Sequence, residues 1–331
     1  MGSDLAKPNV FIVSPACAEA NNGNWHTAAR WMEFLQPVAD ARVALAWNGE
    51  PADALIALHA RRSAESIARF GAAHPRRGLA LVLTGTDLYR DIDSDASAQH
   101  SLECASHLVL LQDEALQRLA PRHRAKARVI VQSAPPRAAQ SRAGQGTRFV
   151  AVGHLRDEKD PLTLMHAARL LRDDAGLKIE HIGGALDESL AAAARQTLAE
   201  CPGYRWLGAL PHGETRDAIA AAHALVHTSR IEGGANVVIE AVCSGVPVIA
   251  SRIDGNVGLL GRGYAGYFPV GDAQALAAAM RRFAHEPALP ADRAAQSAAR
   301  APLSTPAAEA AAVRALAQDL CARADDGAAG E

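Results

Sequence analysis

No apolar run in this chain approaches the roughly 20 residues that a membrane-spanning helix requires. The opening MGSDLAKPNV puts Asp4, Lys7 and Pro8 where a signal peptide needs its apolar stretch, and Ala6 where a myristoylation signal needs Ser or Thr. There is no basic excess: 34 Lys and Arg stand against 36 Asp and Glu, a net charge of −2. A generic nucleic-acid or anionic-membrane binder carries such an excess, so neither partner is expected. The five cysteines (Cys17, Cys104, Cys201, Cys243 and Cys321) form no C-x-x-C and are irregularly spaced. That argues against a zinc ribbon or disulfide scaffold and for a reducing, cytoplasmic setting. Aromatics are only 4%, while 49% hydrophobic and 21% charged residues make an ordinary soluble composition. At about 150 residues per domain, 331 residues suggest two domains.

Short apolar segments alternate with helical patterns. NVFIVSP, ARVALAW, DALIAL, GLALVL, HLVLLQ and ARVIVQ are separated by stretches of helical period. Strands of four to six apolar residues divided by helices imply parallel pairing and doubly wound α/β architecture. The segment PPRAAQSRAGQGT, Pro135 to Thr147, has no period and reads as a linker. The rhythm then restarts with RFVAVG, LKIEHIGG, YRWLG, ALVHTS and VPVIAS, and the chain closes on the helical STPAAEAAAVRALAQDLCAR. In parallel sheets ligands bind beyond the carboxyl ends of strands.

Two motifs are decoys. GRGYAG, Gly261 to Gly266, matches the dinucleotide fingerprint literally, but YFPVGD follows it as strand and turn where a helix is needed. His223 and His227 are spaced for one helical face. On the expected strand they stand about 13 Å apart, too far to share a metal, and a structural role is expected for both.

The informative segment is SRIEGGANVVIEAVCSGVPVIAS. A strand leads into Gly233 and Gly234, a helix starts near Ala235, and Gly245 caps it. Glycines at a helix start let backbone N–H groups approach an anion. Glu232 and Glu240, on either side, are good acceptors for sugar hydroxyls. This E-x7-E segment resembles the donor site of retaining nucleotide-sugar glycosyltransferases of the GT-B fold. VGHLRDEKDPLTLMHAARLL, RWLGALPHGETRDAIAAAHALVHTS and GYAGYFPVGDAQALAAAM resemble further segments of that family in the same order. The resemblance implies two facing doubly wound Rossmann-like domains with an interdomain cleft. It assigns Glu240 to the ribose, Glu232 to the donor sugar or acceptor, and Gly233, Gly234, Ala235 and Asn236 to the diphosphate. Lys159 would neutralise the leaving diphosphate. His154 stands where the family has arginine, so Arg156 is expected to supply that charge. The backbone around Leu207 to Leu210 would meet the base, and no metal is required.

The first half carries three clusters after strands. Asn21, Asn22, Gly23 and Asn24 precede a helix that opens with Trp25, His26 and Thr27. LHARRS supplies His59, Arg61 and Arg62, and LTGTDLYRD supplies Thr84, Thr86, Asp87 and Arg90. Arginines, histidines and a helix start at one rim suit a small, highly charged anion. The family's T-x-H-D-like stretch reads TGTD here, with Thr86 in the histidine's place. Together ANNGNWHTAARW, ALHARRS and LTGTDLYRDI resemble the selenosugar synthases of selenoneine biosynthesis, over nearly the whole chain. That resemblance implies a carbon–selenium bond made between selenophosphate and a UDP-sugar, UDP-GlcNAc or UDP-glucose, with Lys159, Glu232 and Arg156 catalytic. It further implies a functional link to other enzymes of that pathway. The expected boundaries are 1–136 for the acceptor domain, 137–147 for the linker, 148–302 for the donor domain and 303–323 for a helix packing back on the N-terminal domain. Two other activities fit the donor motif: a GT-B transferase with a hydroxyl or phosphorylated acceptor, and a non-catalytic nucleotide-sugar-binding protein.

Overall fold

A computed structural model describes residues 6–18, 22–138 and 146–325. The chain forms two compact units, Met1–Gln132 with Pro306–Glu331, and Ser133–Thr305. Of the expected linker, 139–145 lie outside the described residues.

In the first unit six strands are all parallel: β1 (Asn9–Val13), β2 (Asp40–Ala44), β3 (Ala54–Leu58), β4 (Gly78–Val82), β5 (His107–Leu110) and β6 (Ala127–Val129), in the order β2-β1-β3-β4-β5-β6. The order reverses between β1 and β3, which makes that crevice the topological switch point. The runs ALIAL and GLALV are wholly buried because β3 and β4 are central and covered on both faces. The helix Gly23–Leu35 begins where the Asn22 carboxamide accepts from the N–H groups of Asn24 and Trp25. It buries Ala28, Trp31 and Leu35 on one face.

The final helix, Pro306–Asp325, belongs to this unit. Val313, Leu316 and Leu320 pack with Ile12, Trp31 and Ile56. Its buried Glu309 accepts from Arg30 Nε at 2.8 Å and Trp31 Nε1 at 2.7 Å. Gly78 makes the close approach possible, since a Cβ there would collide with the backbone of Leu320.

The second unit holds β7 (Thr147–Val152), β8 (Leu177–Ile182), β9 (Tyr204–Gly208), β10 (Ala224–His227), β11 (Val248–Ser251) and β12 (Tyr267–Phe268), again parallel, in the order β12-β11-β10-β7-β8-β9. This is the Rossmann order, with its switch point between β7 and β10. Phe149, Met165, Ile179, Tyr204 and Phe283 fill one face. The helices Asp254–Leu260 and Leu289–Ala298 were not apparent from pattern. The first is short and glycine-containing; the second buries only Ser297, so it has little apolar stripe to read. Among the described residues no helix is long and apolar enough to cross a membrane.

Candidate functional site

At the switch point of the second sheet, the loops after β7 and β10 are tied together. The loop after β7 forms a tight turn at Asp157–Lys159, and buried Asp160 follows with φ of 46°. Asp160 accepts from Thr163 Oγ1 at 2.6 Å and from Arg230 of the other loop at 3.0 Å. Thr228 Oγ1 donates to the carbonyl of Lys159 at 2.8 Å, and the Arg230 N–H to that of Glu158 at 2.9 Å.

These ties bring Lys159 and Glu232 into an ion pair. Glu232 Oε1 also accepts from Ser229 Oγ at 2.7 Å, and His227 Nε2 stands 3.3 Å away. Burial pushes the Glu232 carboxyl up, but the Lys159 ammonium and His227 outweigh it and hold the acid well below the ordinary carboxylate range. Gly255 is required beside them, because a Cβ there would meet the backbone and Cβ of Glu232.

The helix Asn236–Cys243 starts after Gly233, Gly234 and Ala235, and no side chain caps it. The first N–H groups of this helix therefore donate no hydrogen bond to a capping side chain. Glu240 is buried on this helix, and His212 Nε2 lies 2.7 Å from its Oε1. His212, His227, Ser229 and Arg230 were not singled out as site residues. Only their place after strand ends could have signalled them. His154 Nδ1 accepts from the Gly184 N–H at 3.0 Å, so a neutral His154 carries its hydrogen on Nε2. Arg156 Nε is buried without a hydrogen-bond partner among the described residues, 4.0 Å from the Glu158 carboxylate. Leu210 is half-buried just before the helix His212–Ala221.

The decoys resolve by placement. GRGYAG joins the end of the Asp254–Leu260 helix to β12, with Gly261 at φ of 92°, so no helix N-terminus follows it. The two histidines divide. His223 accepts from the Arg148 N–H at 3.1 Å, a structural bond. His227, expected to be structural, stands against Glu232 because the last residue of β10 faces the site.

In the first unit the ends of adjacent β3 and β4 converge. His59 is buried with φ of 74°, an uncommon conformation for a residue with a Cβ. Its Nε2 lies 3.0 Å from Thr86 Oγ1, and its Nδ1 accepts from the Arg62 N–H at 3.3 Å. A π-helical turn, Asp87–Asp91, follows β4. Asn24, Trp25 and His26 open the helix after β1, which pairs with β3, and are half-buried. Asn21 lies outside the described residues.

Three expectations change here. Asp87 was expected at the acceptor. It is wholly buried, and its carboxylate accepts from the N–H groups of Ala60, Thr84 and Gly85, so it joins two loops instead. Thr27 is buried, donates to the Gly23 carbonyl at 2.8 Å and accepts from Gln132, so it closes the first helical turn. Arg61 and Arg90 do not stand as bare charges: both donate to buried Asp91, at 2.9 Å and 3.2 Å. Arg62 is exposed, and its guanidinium makes no ion pair among the described residues.

The family model for glycosyl transferases group 1 matches residues 136–301. Over 137 residues the chain is 34% identical to the putative teichuronic acid biosynthesis glycosyltransferase TuaC of Bacillus subtilis (strain 168), a match covering 41% of this chain and 33% of that protein. The chain thus spans a third of that curated relative. Sucrose-phosphate synthase from Thermosynechococcus elongatus superposes with a TM-score of 0.76 at 16% identity, covering 96% of this chain and 99% of that one. Anabaena HepE, solved with UDP-glucose, gives 0.73 at 15% identity, covering 95% and 99%. These likenesses are of fold: two parallel-sheet α/β Rossmann-like domains of the GT-B type.

Proposed function

The chain belongs to the group 1 glycosyl transferases, and from that premise we propose that it is a selenosugar synthase, joining selenophosphate to the anomeric carbon of UDP-glucose or UDP-GlcNAc. The observation that carries this reading of the acceptor is the cluster after β3 and β4: the His59–Thr86 pair, the Arg62 N–H on the same ring, and an Arg62 guanidinium with no ion pair among the described residues. Such a site offers hydrogen-bond donors and positive charge, which suits a compact anion.

The donor is held by the second unit. Glu240 accepts the ribose hydroxyls. The uncapped N–H groups from Gly233 to Asn236 hold the diphosphate. The Lys159 ammonium exchanges Glu232 for the diphosphate as negative charge grows there, and Arg156 adds charge nearby. A selenium lone pair of selenophosphate forms the C–Se bond while the anomeric C–O bond breaks, and UDP leaves with that electron pair. Water then cleaves the Se–P bond, giving the selenosugar and phosphate. Selenium is already ionised, so the attack requires no general base.

Mass spectrometry of the protein incubated with each UDP-sugar and selenophosphate tests this. A selenosugar and stoichiometric UDP are expected. An O-glycoside formed without selenium would favour a hydroxyl-acceptor transferase instead. UDP-sugar binding without turnover of any acceptor would leave only a binding protein.

A further inference from the structure

The hydrogens in the first unit's cluster follow from its geometry. The Arg62 N–H donates to His59 Nδ1, so that nitrogen carries no hydrogen. The neutral ring then bears its hydrogen on Nε2, which donates to Thr86 Oγ1 at 3.0 Å. Burial holds His59 below the ordinary histidine value; Asp87 and Asp91 pull it up, Arg62 and Arg61 push it down, and the ring stays neutral at pH 7.

Thr86 thus already accepts one hydrogen bond, and its own hydrogen has no partner among the described residues. The Arg62 guanidinium, whose charge is felt at the His59 ring, is also without an ion pair among them. The groups that could take a proton are occupied. Asp87 accepts three backbone N–H groups, Asp91 holds Arg61 and Arg90, and His59 Nδ1 faces the Arg62 N–H. What the cluster can offer a ligand is a donor hydroxyl and a positive charge.

We propose that His59 is a positioning residue that fixes the Thr86 hydroxyl as a hydrogen-bond donor, and that Thr86 with Arg62 thereby selects an acceptor arriving as a phosphate-like anion over one arriving as a neutral hydroxyl. The proposal rests on the reading of this cluster as the acceptor site. The φ of 74° at His59 supports it, because an uncommon backbone conformation is kept where the surroundings over-determine it, and here it aims the ring at Thr86.

Thiophosphate, a stable relative of selenophosphate, is the probe, and calorimetry on the UDP-saturated full chain is the readout. A lost hydrogen bond to an anion weakens binding about tenfold or more. Thr86→Val should therefore lower thiophosphate affinity about tenfold while UDP affinity stays unchanged. Thr86→Ser, which keeps the hydroxyl, should rescue binding to within about threefold. His59→Asn tolerates the left-handed backbone but is too short to reach Thr86. It should match Thr86→Val, and the double variant should be no weaker than either single one. Unchanged thiophosphate affinity in Thr86→Val overturns the proposal, as does equal loss of UDP and thiophosphate binding, which would mark a structural role. Failure of the wild type to bind thiophosphate overturns it too. If thiophosphate binds and responds as stated but selenophosphate is not turned over, the anion site stands and the selenosugar assignment falls.

Discussion

The two units handle charge at their strand ends in opposite ways. In the second, Lys159 and Glu232 answer each other directly, with His227 and Ser229 converging on the same carboxylate oxygen. In the first, buried Asp91 and Asp87 are filled by arginines and backbone N–H groups, and the Arg62 guanidinium has no ion pair among the described residues. A matched pair can release its cation when a stronger anion arrives, which suits a leaving group whose charge grows during reaction. An unmatched cation beside a donor hydroxyl suits a ligand that is charged from the start.

The largest effect should come from Lys159→Ala. If the ammonium steadies the departing diphosphate, turnover should fall about 10²- to 10³-fold, with UDP-sugar affinity changing far less. Coupled-assay rates of UDP release decide this, and an equal loss of affinity and rate would make Lys159 a binding residue only.

Next in size is a test of how separately the two units stand. Glu309→Ala removes the acceptor of both Arg30 and buried Trp31 Nε1, and should destabilise the first unit by about 3 kcal/mol. Chemical denaturation should show an earlier transition for that unit, while UDP binding by the second persists below it. A single unshifted transition would contradict the importance of the helix Pro306–Asp325.

Glu240→Ala should weaken UDP binding about tenfold, if its carboxylate holds the ribose, and leave thiophosphate binding unchanged. Unchanged UDP affinity by calorimetry would remove Glu240 from the donor site. Acid stability sharpens the same contrast. The folded Glu232 acid lies below its unfolded value of about 4.3, so its ionisation stabilises the fold above that pH. That contribution is lost as pH falls below about 4. Glu232→Gln should flatten this limb of the stability curve, and a denaturation series from neutral to acid pH would show it.

The second unit was the more legible in the sequence for a physical reason. Most of its candidate donor residues lie in one segment, where Gly233, Gly234, Glu232 and Glu240 fall at spacings set by a strand, a turn and a helix. The alternation of apolar segments also made the parallel sheets legible, since central strands such as ALIAL are buried on both faces. The partners that tune these groups were hidden. His212 reaches Glu240 across 28 positions, and His227 meets Glu232 only because of how β10 ends. Gly78 and Gly255 carry no motif; backbones that approach them in three dimensions require them. In the first unit Asp87 was read as an acceptor residue, and Asp91 was not singled out. A π-helical turn buries both, a geometry that periodicity does not announce.

The smallest effect separates Arg61 from Arg62, and it bears most directly on the contrast between the units. Sequence alone made the two arginines equivalent, and Arg61 seemed a natural anion ligand. In the structure Arg61 Nε is held by Asp91 at 2.9 Å, so an anion would have to compete with a buried carboxylate for it. Arg62 has no such competitor among the described residues. Arg62→Ala should therefore weaken thiophosphate binding by about fivefold to tenfold, with a reduced dependence on salt. Arg61→Ala should weaken it about twofold at most, since Asp91 already engages the Arg61 charge and keeps Arg90 as a partner when Arg61 is removed. If Arg61→Ala proves the more damaging, Asp91 does not neutralise Arg61 in solution, and the first unit carries two free cations where one is inferred.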